Sequence, residues 1–163
     1  MFDHTQFREV VVRPTLSTIG LYSMAAEDLI VGTCAAESRL GTYIKQVGTG
    51  PALGVMQVEP ATHDDCWASW LRFRSNEQEL MRQMVAPCWW SSEHNRPRAI
   101  AMVYSLDYSV AIARIVYRRA KPPLPKSGDW QAMAAYWVQF YNRGGAGTEA
   151  HFLDACETCG VIR

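Results

Sequence analysis

Apolar and polar residues alternate along most of this chain with the spacing of amphipathic helices. The clearest example is segment 23–38, for which Ser23 is the expected N-cap. The apolar residues near helical spacing within it are Ala26, Leu29, Ile30, Cys34 and Ala35. The pattern therefore predicts a mostly buried helix that ends close to Glu37.

The same spacing predicts further helices on both sides of this segment. They cover about residues 14–22, 60–73, 75–86, 98–105, 107–120, 128–141 and 147–157. Pro14 fits the first turn of one helix, Ser75 or Asn76 is the expected cap of another, and Asp107 is the expected cap of a third. The stretch K-P-P-L-P-K-S-G at 121–128 is short enough to be a loop between helices.

One segment follows a different pattern, since Val and Ile are frequent in Y-I-K-Q-V-G-T-G-P-A-L-G-V-M-Q-V. G-T-G-P supplies turn residues, so we expect a small hairpin at roughly 43–48 and 53–58. The sequence contains no internal repeat. Together these elements predict a single, mainly α domain over residues 1–163, a helical bundle with one small β-hairpin.

Size and charge limit the classes of function. The chain has 163 residues, of which 48% are hydrophobic and 20% charged, which is ordinary globular composition. Sixteen basic residues balance sixteen acidic ones, which argues against nucleic acid as the main partner but not against a neutral glycan. Apolar runs are too short for a membrane span. M-F-D-H-T-Q-F-R-E lacks the apolar region of a signal peptide, so we expect synthesis in the cytoplasm without one.

Cysteine and histidine spacing does not indicate a metal site or a cofactor. The cysteine count is five, and Cys34 is expected to pack as a small hydrophobic residue. C-E-T-C at 156–159 has no second pair and no histidine at zinc-finger spacing, so we interpret it as structural. His63, His94 and His151 lack metal-ligand spacing, and no H-E-x-x-H occurs.

Glu37 is the residue that the helical pattern does not explain. It is a carboxylate in the last turn of an apolar helix, where burial and the negative end of the helix dipole both raise a carboxyl pKa. A raised pKa suits a general acid at neutral pH. Taken alone, however, a glutamate at this position is more simply a solvated residue at a helix end.

Three short motifs favour the catalytic interpretation. In chain order they are Glu37-Ser38, then Gly54-Val55-Met56-Gln57 with Pro60 after it, then Tyr141-Asn142 followed by Gly144. The set resembles the lytic transglycosylase family with a goose-lysozyme-like catalytic domain, which carries E-S, G-L-M-Q with a following Pro, and Y-N-x-G in this order. The resemblance covers about residues 20–155. Val55 replaces the usual Leu, and Arg143 stands where a small residue is common.

The resemblance implies a lysozyme-like α+β fold around a cleft, which cleaves peptidoglycan between N-acetylmuramic acid and N-acetylglucosamine. Glu37 would protonate the leaving oxygen and then act as base towards the muramic acid 6-hydroxyl, giving a 1,6-anhydro product. Hydrolases usually need two carboxylates. Because the attacking hydroxyl is part of the substrate, one carboxyl group suffices here.

The motifs also suggest residues that contact the substrate. Gln57 offers an amide suited to sugar hydroxyls and acetamido groups. Ser38 would hold the local backbone or contact sugar, and Met56 would pack near the cleft. Tyr141 would hydrogen-bond Glu37 or the sugar ring. Asn142, which is also a plausible helix cap, would fix the fold around it.

A hydrolase is the main rival within this fold, because goose-type lysozymes use additional carboxylates to position water. Glu59, Asp64 and Asp65 are the candidates, although two adjacent acids are also favourable in the first turn of a helix. Aromatic residues are a further possibility for sugar contacts. Spacing places Trp67 and Trp70 in the core, whereas Trp89-Trp90 is expected in a loop, where it is the better candidate for a glycan contact.

The biological setting follows from resemblance as well. H-T-Q-F and V-E-P-A-T-H-D-D are similar to small phage proteins associated with virion structure. We therefore expect a virion-associated protein that opens the host cell wall for DNA entry, with other virion proteins as partners. The alternatives are an endolysin acting at lysis and a structural virion protein that keeps the fold without activity.

Overall fold

The structure, a computed structural model, describes residues 1–162. It is mainly helical with one small two-stranded antiparallel hairpin, which confirms the predicted fold class. The α-helices are α1 His4–Gln6, α2 Arg13–Thr18, α3 Met24–Ser38, α4 Pro60–Asp65, α5 Ser75–Gln83, α6 Ala101–Tyr104, α7 Leu106–Arg118, α8 Trp130–Phe140 and α9 Glu149–Thr158. Shorter π- and 3-10 turns occupy Phe7–Val12, Cys66–Trp70, Leu71–Phe73 and Pro87–Trp89.

The first helix is longer than predicted, because α1, the π-turn and α2 follow one another without a break from residue 4 to residue 18. The sequence predicted its start at residue 14. Asp3 caps the true start by accepting a hydrogen bond from the Gln6 amide at 2.9 Å. The V-V-V run at 10–12 concealed this helix, since β-branched residues lower helical propensity.

Helix α3 is the central element and begins as predicted. The Ser23 side chain accepts a hydrogen bond from the Ala26 amide at 3.1 Å, so it is the N-cap. Helices α7, α8 and α9 pack against it, and twelve of its fifteen residues are buried. It ends in a left-handed turn, in which Arg39 has φ 50° and the Leu40 amide bonds the Cys34 carbonyl at 3.1 Å.

The β-hairpin does not lie where the sequence predicted it. Within 43–58 only two isolated bridges form, Lys45 to Leu53 and Leu53 to Val58. The second half is interrupted because Gly54 and Gln57 have left-handed backbone, with φ of 72° and 47°. The regular antiparallel pair is instead β1 Trp90–Ser91 with β2 Arg96–Pro97, in the segment that was expected to be a loop.

Most remaining helices match their predicted positions, with corrections at the caps. The helix predicted at 60–73 consists of α4 followed by π- and 3-10 turns. Ser75 lies inside α5, whose N-cap position is Arg74. Ser105 rather than Asp107 caps α7, and it accepts from the Tyr108 amide at 3.1 Å.

One hydrophobic core extends from Phe7 to Cys159 and includes residues of all the longer helices. The five cysteines are free, and the Cys156 thiol faces the Gly32 carbonyl at 3.8 Å. Burial raises the pKa of Cys156 to about 12, so this thiol stays protonated at neutral pH. No helix among residues 1–162 is both long enough and apolar enough to cross a bilayer.

Candidate active site

A cleft of about 880 Å³ lies where the end of α3 meets the irregular segment 39–59 and the loop after α8. Five motif or neighbouring residues line it from different parts of the chain: Glu37, Gln57, Tyr141, Asn142 and His151. The opposite wall comes from α4 and from the end of α7. The three sequence motifs therefore meet at one concave site.

Glu37 reaches this cleft from the last turn of α3 and is partly exposed to it. Its Oε1 accepts a hydrogen bond from the Trp137 indole Nε1 at 3.0 Å. Burial raises the pKa of Glu37 from its ordinary 4.5 to about 7, while the bond from Trp137 acts in the opposite direction. The carboxyl group therefore holds its proton through the acidic range and about half of it remains protonated at pH 7, which suits a general acid.

Ser38 faces away from the cleft and is fully buried. Its hydroxyl donates to the Cys34 carbonyl at 3.1 Å and accepts from the Gly41 amide at 2.9 Å. These bonds close the end of α3 and fix the turn that follows Glu37. Of the two roles predicted for Ser38, the structure places it in the one that holds the backbone.

The G-V-M-Q motif forms a tight turn at residues 54–57. Only glycine fits at Gly54, because an added Cβ would lie 2.4 Å from the Met102 carbonyl oxygen and 2.7 Å from Ser109 Oγ, and φ is 72°. Met56 is fully buried and does not line the cleft. Gln57 does line it, and its Nε2 donates to the Gly54 carbonyl at 2.8 Å, which orients the amide.

Tyr141 connects this turn to the end of α8. Its hydroxyl donates to the Met56 carbonyl at 2.7 Å, and its ring stacks on Tyr117 at a centroid distance of 5.0 Å. Of the two partners predicted for Tyr141, Glu37 or the sugar ring, Glu37 does not accept from it, because the Trp137 indole makes that hydrogen bond. Burial raises the pKa of Tyr141 well above its usual range, so its hydroxyl remains neutral.

Asn142 follows the C-cap residue Tyr141 rather than being the cap itself. Its backbone amide bonds the Trp137 carbonyl at 3.0 Å, and its carbonyl accepts from the Gly145 amide at 3.1 Å. The side-chain Nδ2 is buried without a hydrogen-bond partner among the described residues. An unpaired buried donor is costly, and because this atom has almost no accessible surface it is not presented to the cleft.

The three additional carboxylates differ in position. Glu59 and Asp65 line the cleft, and Asp65 is paired with the Arg119 guanidinium on the same wall. Asp64 does not line the cleft, because it pairs with His63 at 2.9 Å and with Arg96 at 3.2 Å. A second acid near the substrate is therefore limited to Glu59 or Asp65.

Sequence reasoning missed two residues of this site, Trp137 and His151. Trp137 lies one helical turn before Tyr141 on α8, so the i, i+4 relationship was available as a signal. His151 Nε2 is 3.1 Å from the Ala36 carbonyl, and its ring lies 6.0 Å from that of Trp137. No sequence signal indicated the contact between His151 and Ala36, because it depends on how α9 packs against α3.

The tryptophans predicted for the core and for the loop both lie outside the cleft. Trp67 is buried, as predicted, and its indole donates to the Tyr108 hydroxyl at 2.9 Å. Trp89 stacks on Tyr104 at 4.2 Å, and Trp90 meets Trp67 edge-on. Trp89 and Trp90, which we expected to contact glycan, therefore do not line the candidate site.

Among residues 1–162 no group of three or more potential metal ligands lies together. Comparison with known proteins identifies no matching family model, and neither a curated protein nor a solved structure matches the chain. The resemblance to lytic transglycosylases therefore depends on the three motifs.

Proposed function

We propose that this protein is a peptidoglycan lytic transglycosylase that cleaves the β-1,4 bond between N-acetylmuramic acid and N-acetylglucosamine. The observation that carries the proposal is Glu37, a carboxyl group with a pKa of about 7 in a large cleft bordered by the other two motifs. Perturbed carboxyl groups in clefts are characteristic of functional sites.

The reaction needs one carboxyl group that acts first as an acid and then as a base. Protonated Glu37 donates its proton to the glycosidic oxygen as the bond from that oxygen to the muramic acid anomeric carbon breaks. The resulting carboxylate then removes the proton of the 6-hydroxyl, whose oxygen attacks the same carbon. The 1,6-anhydro ring closes, Glu37 regains its proton, and no water is consumed.

Neighbouring residues supply orientation rather than proton transfer. The Trp137 indole holds one carboxylate oxygen of Glu37 and stabilises the charge that appears after the first step. Gln57 presents an oriented amide to the cleft, which is suited to an acetamido or hydroxyl oxygen.

A goose-type lysozyme is the second candidate, because Glu59 and Asp65 also line the cleft. A carboxylate there would position a water for attack on the anomeric carbon. The Asp65 carboxylate is already engaged in its ion pair with Arg119, so Glu59 is the cleft carboxylate that would hold the water. The two candidates give different products, a 1,6-anhydro end or a reducing end.

Activity is tested first by a peptidoglycan zymogram that compares the wild type with Glu37→Gln. The matched control is Glu93→Gln, since the Glu93 side chain is 83% exposed and lies outside the cleft. We expect clearing by the wild type and by the control but not by Glu37→Gln. No clearing by the wild type would support the third possibility, a structural protein without activity.

The proposal includes a place of action, the host cell wall, reached as part of a phage particle. Its support is the sequence similarity described above and not the geometry of the site. Proteomics of purified particles tests it. Finding the protein only in the lysate and not in the particles would favour an endolysin.

A further inference from the structure

Two arginines line the cleft beside the motif residues and are not paired with a carboxylate. Arg39 comes two residues after Glu37, and Arg143 comes two residues after Tyr141. Both are exposed, and no carboxylate of residues 1–162 lies within ion-pair distance of either. Arg119, on the opposite wall, is by contrast already paired with Asp65.

Arg39 extends from backbone that is fixed by a hydrogen bond, whereas Arg143 is held through its side chain. The Arg39 amide bonds the Ala35 carbonyl at 3.0 Å in the turn that ends α3. Arg143 Nε donates to the Gln139 carbonyl at 3.3 Å, and its guanidinium carbon lies 5.9 Å from the centroid of the Phe140 ring. Most N–H groups of the two guanidinium ions are therefore available to a ligand.

When Glu37 is protonated, the charged side chains that line the cleft favour the binding of an anion. They belong to Arg39, Arg119, Arg143, Glu37, Glu59 and Asp65. Asp65 and Arg119 neutralise one another. Glu37 must carry its proton to act as an acid, so two arginines remain against Glu59 alone.

We propose that Arg39 and Arg143 form a carboxylate subsite, which selects glycan strands that still carry their stem peptides. This inference rests on the proposed function. Stem peptides are attached to the lactyl group of each muramic acid residue, so their free carboxylates accompany the bond that Glu37 would cleave. Guanidinium groups bind carboxylates through paired N–H donors, which a neutral sugar hydroxyl cannot match in charge.

Two substrates test the carboxylate subsite. One is stem-bearing glycan strands. The other is strands from which an amidase has removed the stems and in which the lactyl carboxylates left by that hydrolysis have been converted to amides with carbodiimide and ammonia. We expect the wild type to cleave the stem-bearing strands faster. In Arg39→Gln/Arg143→Gln, kcat/KM on stem-bearing strands should fall by about fivefold, the scale of two exposed ion pairs. On strands without stems it should not change, and added salt should reduce the preference of the wild type.

The control is Arg118→Gln, an exposed arginine on α7 that does not line the cleft and should preserve the preference. Arg39→Lys/Arg143→Lys should retain part of the preference for stem-bearing strands, because the positive charge remains. Binding provides a second readout: Glu37→Gln should bind stem-bearing sacculi more tightly than sacculi without stems whose lactyl carboxylates have been amidated.

Equal cleavage of both substrates by the wild type, or an equal loss on both in the double variant, would overturn the carboxylate subsite and leave the proposed function standing. Absence of cleavage on either substrate would overturn the two together. The two failures are therefore distinguishable.

Discussion

Glu37 is held in the cleft by one direct side-chain contact, the indole N–H of Trp137. Burial makes the charged form of this carboxyl group unfavourable, whereas the indole stabilises it. The balance between these effects sets the pH range in which Glu37 is protonated, so two predictions follow from this pair of residues.

Replacing the indole donor should change the pH profile. In Trp137→Phe the carboxylate loses its hydrogen bond, so the pKa of Glu37 should rise further. Loss of activity with rising pH, expected near pH 7 in the wild type, should move to higher pH. We also expect kcat to fall by about tenfold, since a bond to a charged group is lost. An unchanged profile of kcat/KM against pH would contradict the role of Trp137.

Glu37 should also reduce stability at alkaline pH. Its pKa in the folded protein, about 7, exceeds the ordinary 4.5, so folding favours the protonated form. Below pH 4.5 both states are protonated and Glu37 costs nothing, whereas above pH 7 its charge costs up to about 3 kcal/mol. Urea denaturation should therefore show Glu37→Gln more stable than the wild type at pH 8, and equal to it at pH 4.

At the scale of elements, the site depends on turns that position side chains at the ends of helices. The buried Ser38 hydroxyl closes α3, and the Tyr141 hydroxyl ties α8 to the carbonyl of Met56. Gly54 allows the turn at 54–57 to approach the Met102 carbonyl. Through these contacts, Tyr141 at the cleft and Ser38 and Gly54 outside it determine where Glu37 and Gln57 lie.

Gly54→Ala tests the importance of the turn. The added Cβ would meet the Met102 carbonyl oxygen in a strained backbone conformation, so we expect a loss of at least about 2 kcal/mol in unfolding free energy together with reduced activity. Gly128→Ala is the matched control, because φ is 80° there but no atom lies within 4 Å. If both variants lose the same stability, the backbone conformation alone is responsible.

Local signals predicted the helices well and the β structure poorly. Ser23 and the apolar spacing defined α3, because capping and burial act within a few residues. The hairpin was predicted at 43–58, but left-handed residues interrupt that segment, and the pair Trp90–Ser91 with Arg96–Pro97 carries no strong turn signal.

In the site, too, features with a local sequence signal were predicted, whereas contacts between distant parts of the chain were not. Glu37, Gln57, Tyr141 and Asn142 were identified from their motifs, and all four line one cleft. The contact between Trp137 and Glu37 was not predicted, since it arises from the packing of α8 on α3, which single-sequence patterns do not encode.

At the scale of the whole molecule, an ionic cluster fastens the N-terminal helix to the start of α3. Arg8 contacts Glu27 at 3.1 Å and Asp28 at 2.6 Å, and Arg13 contacts Glu27 at 3.0 Å. Burial tends to raise the pKa of Glu27, but the hydrogen bonds from Arg13 and Arg8 outweigh it and leave the pKa lowered. Ser127 also donates to Asp28, so the cluster joins three parts of the chain.

Glu27→Gln should therefore destabilise the fold. Two arginines would lose their buried counter-charge, which we expect to cost about 2 kcal/mol because both remain partly solvated. Glu9→Gln is the control, since Glu9 is an exposed glutamate on the N-terminal helix that carries Arg8 and Arg13. The pKa of Glu27 is lowered in the folded state, so its contribution is present at neutral pH and is lost as the pH falls. Urea denaturation should show a smaller difference in unfolding free energy between the wild type and Glu27→Gln at pH 3 than at pH 7.

The central claim is that Glu37 alone supplies the proton chemistry of a transglycosylase. Its most direct test is mass spectrometry of the muropeptides that the wild-type protein releases from peptidoglycan in heavy-oxygen water. We predict 1,6-anhydro ends that contain no heavy oxygen, and no products with Glu37→Gln. Reducing ends that carry one heavy oxygen atom would contradict the claim, because water and not the 6-hydroxyl would then have attacked the anomeric carbon.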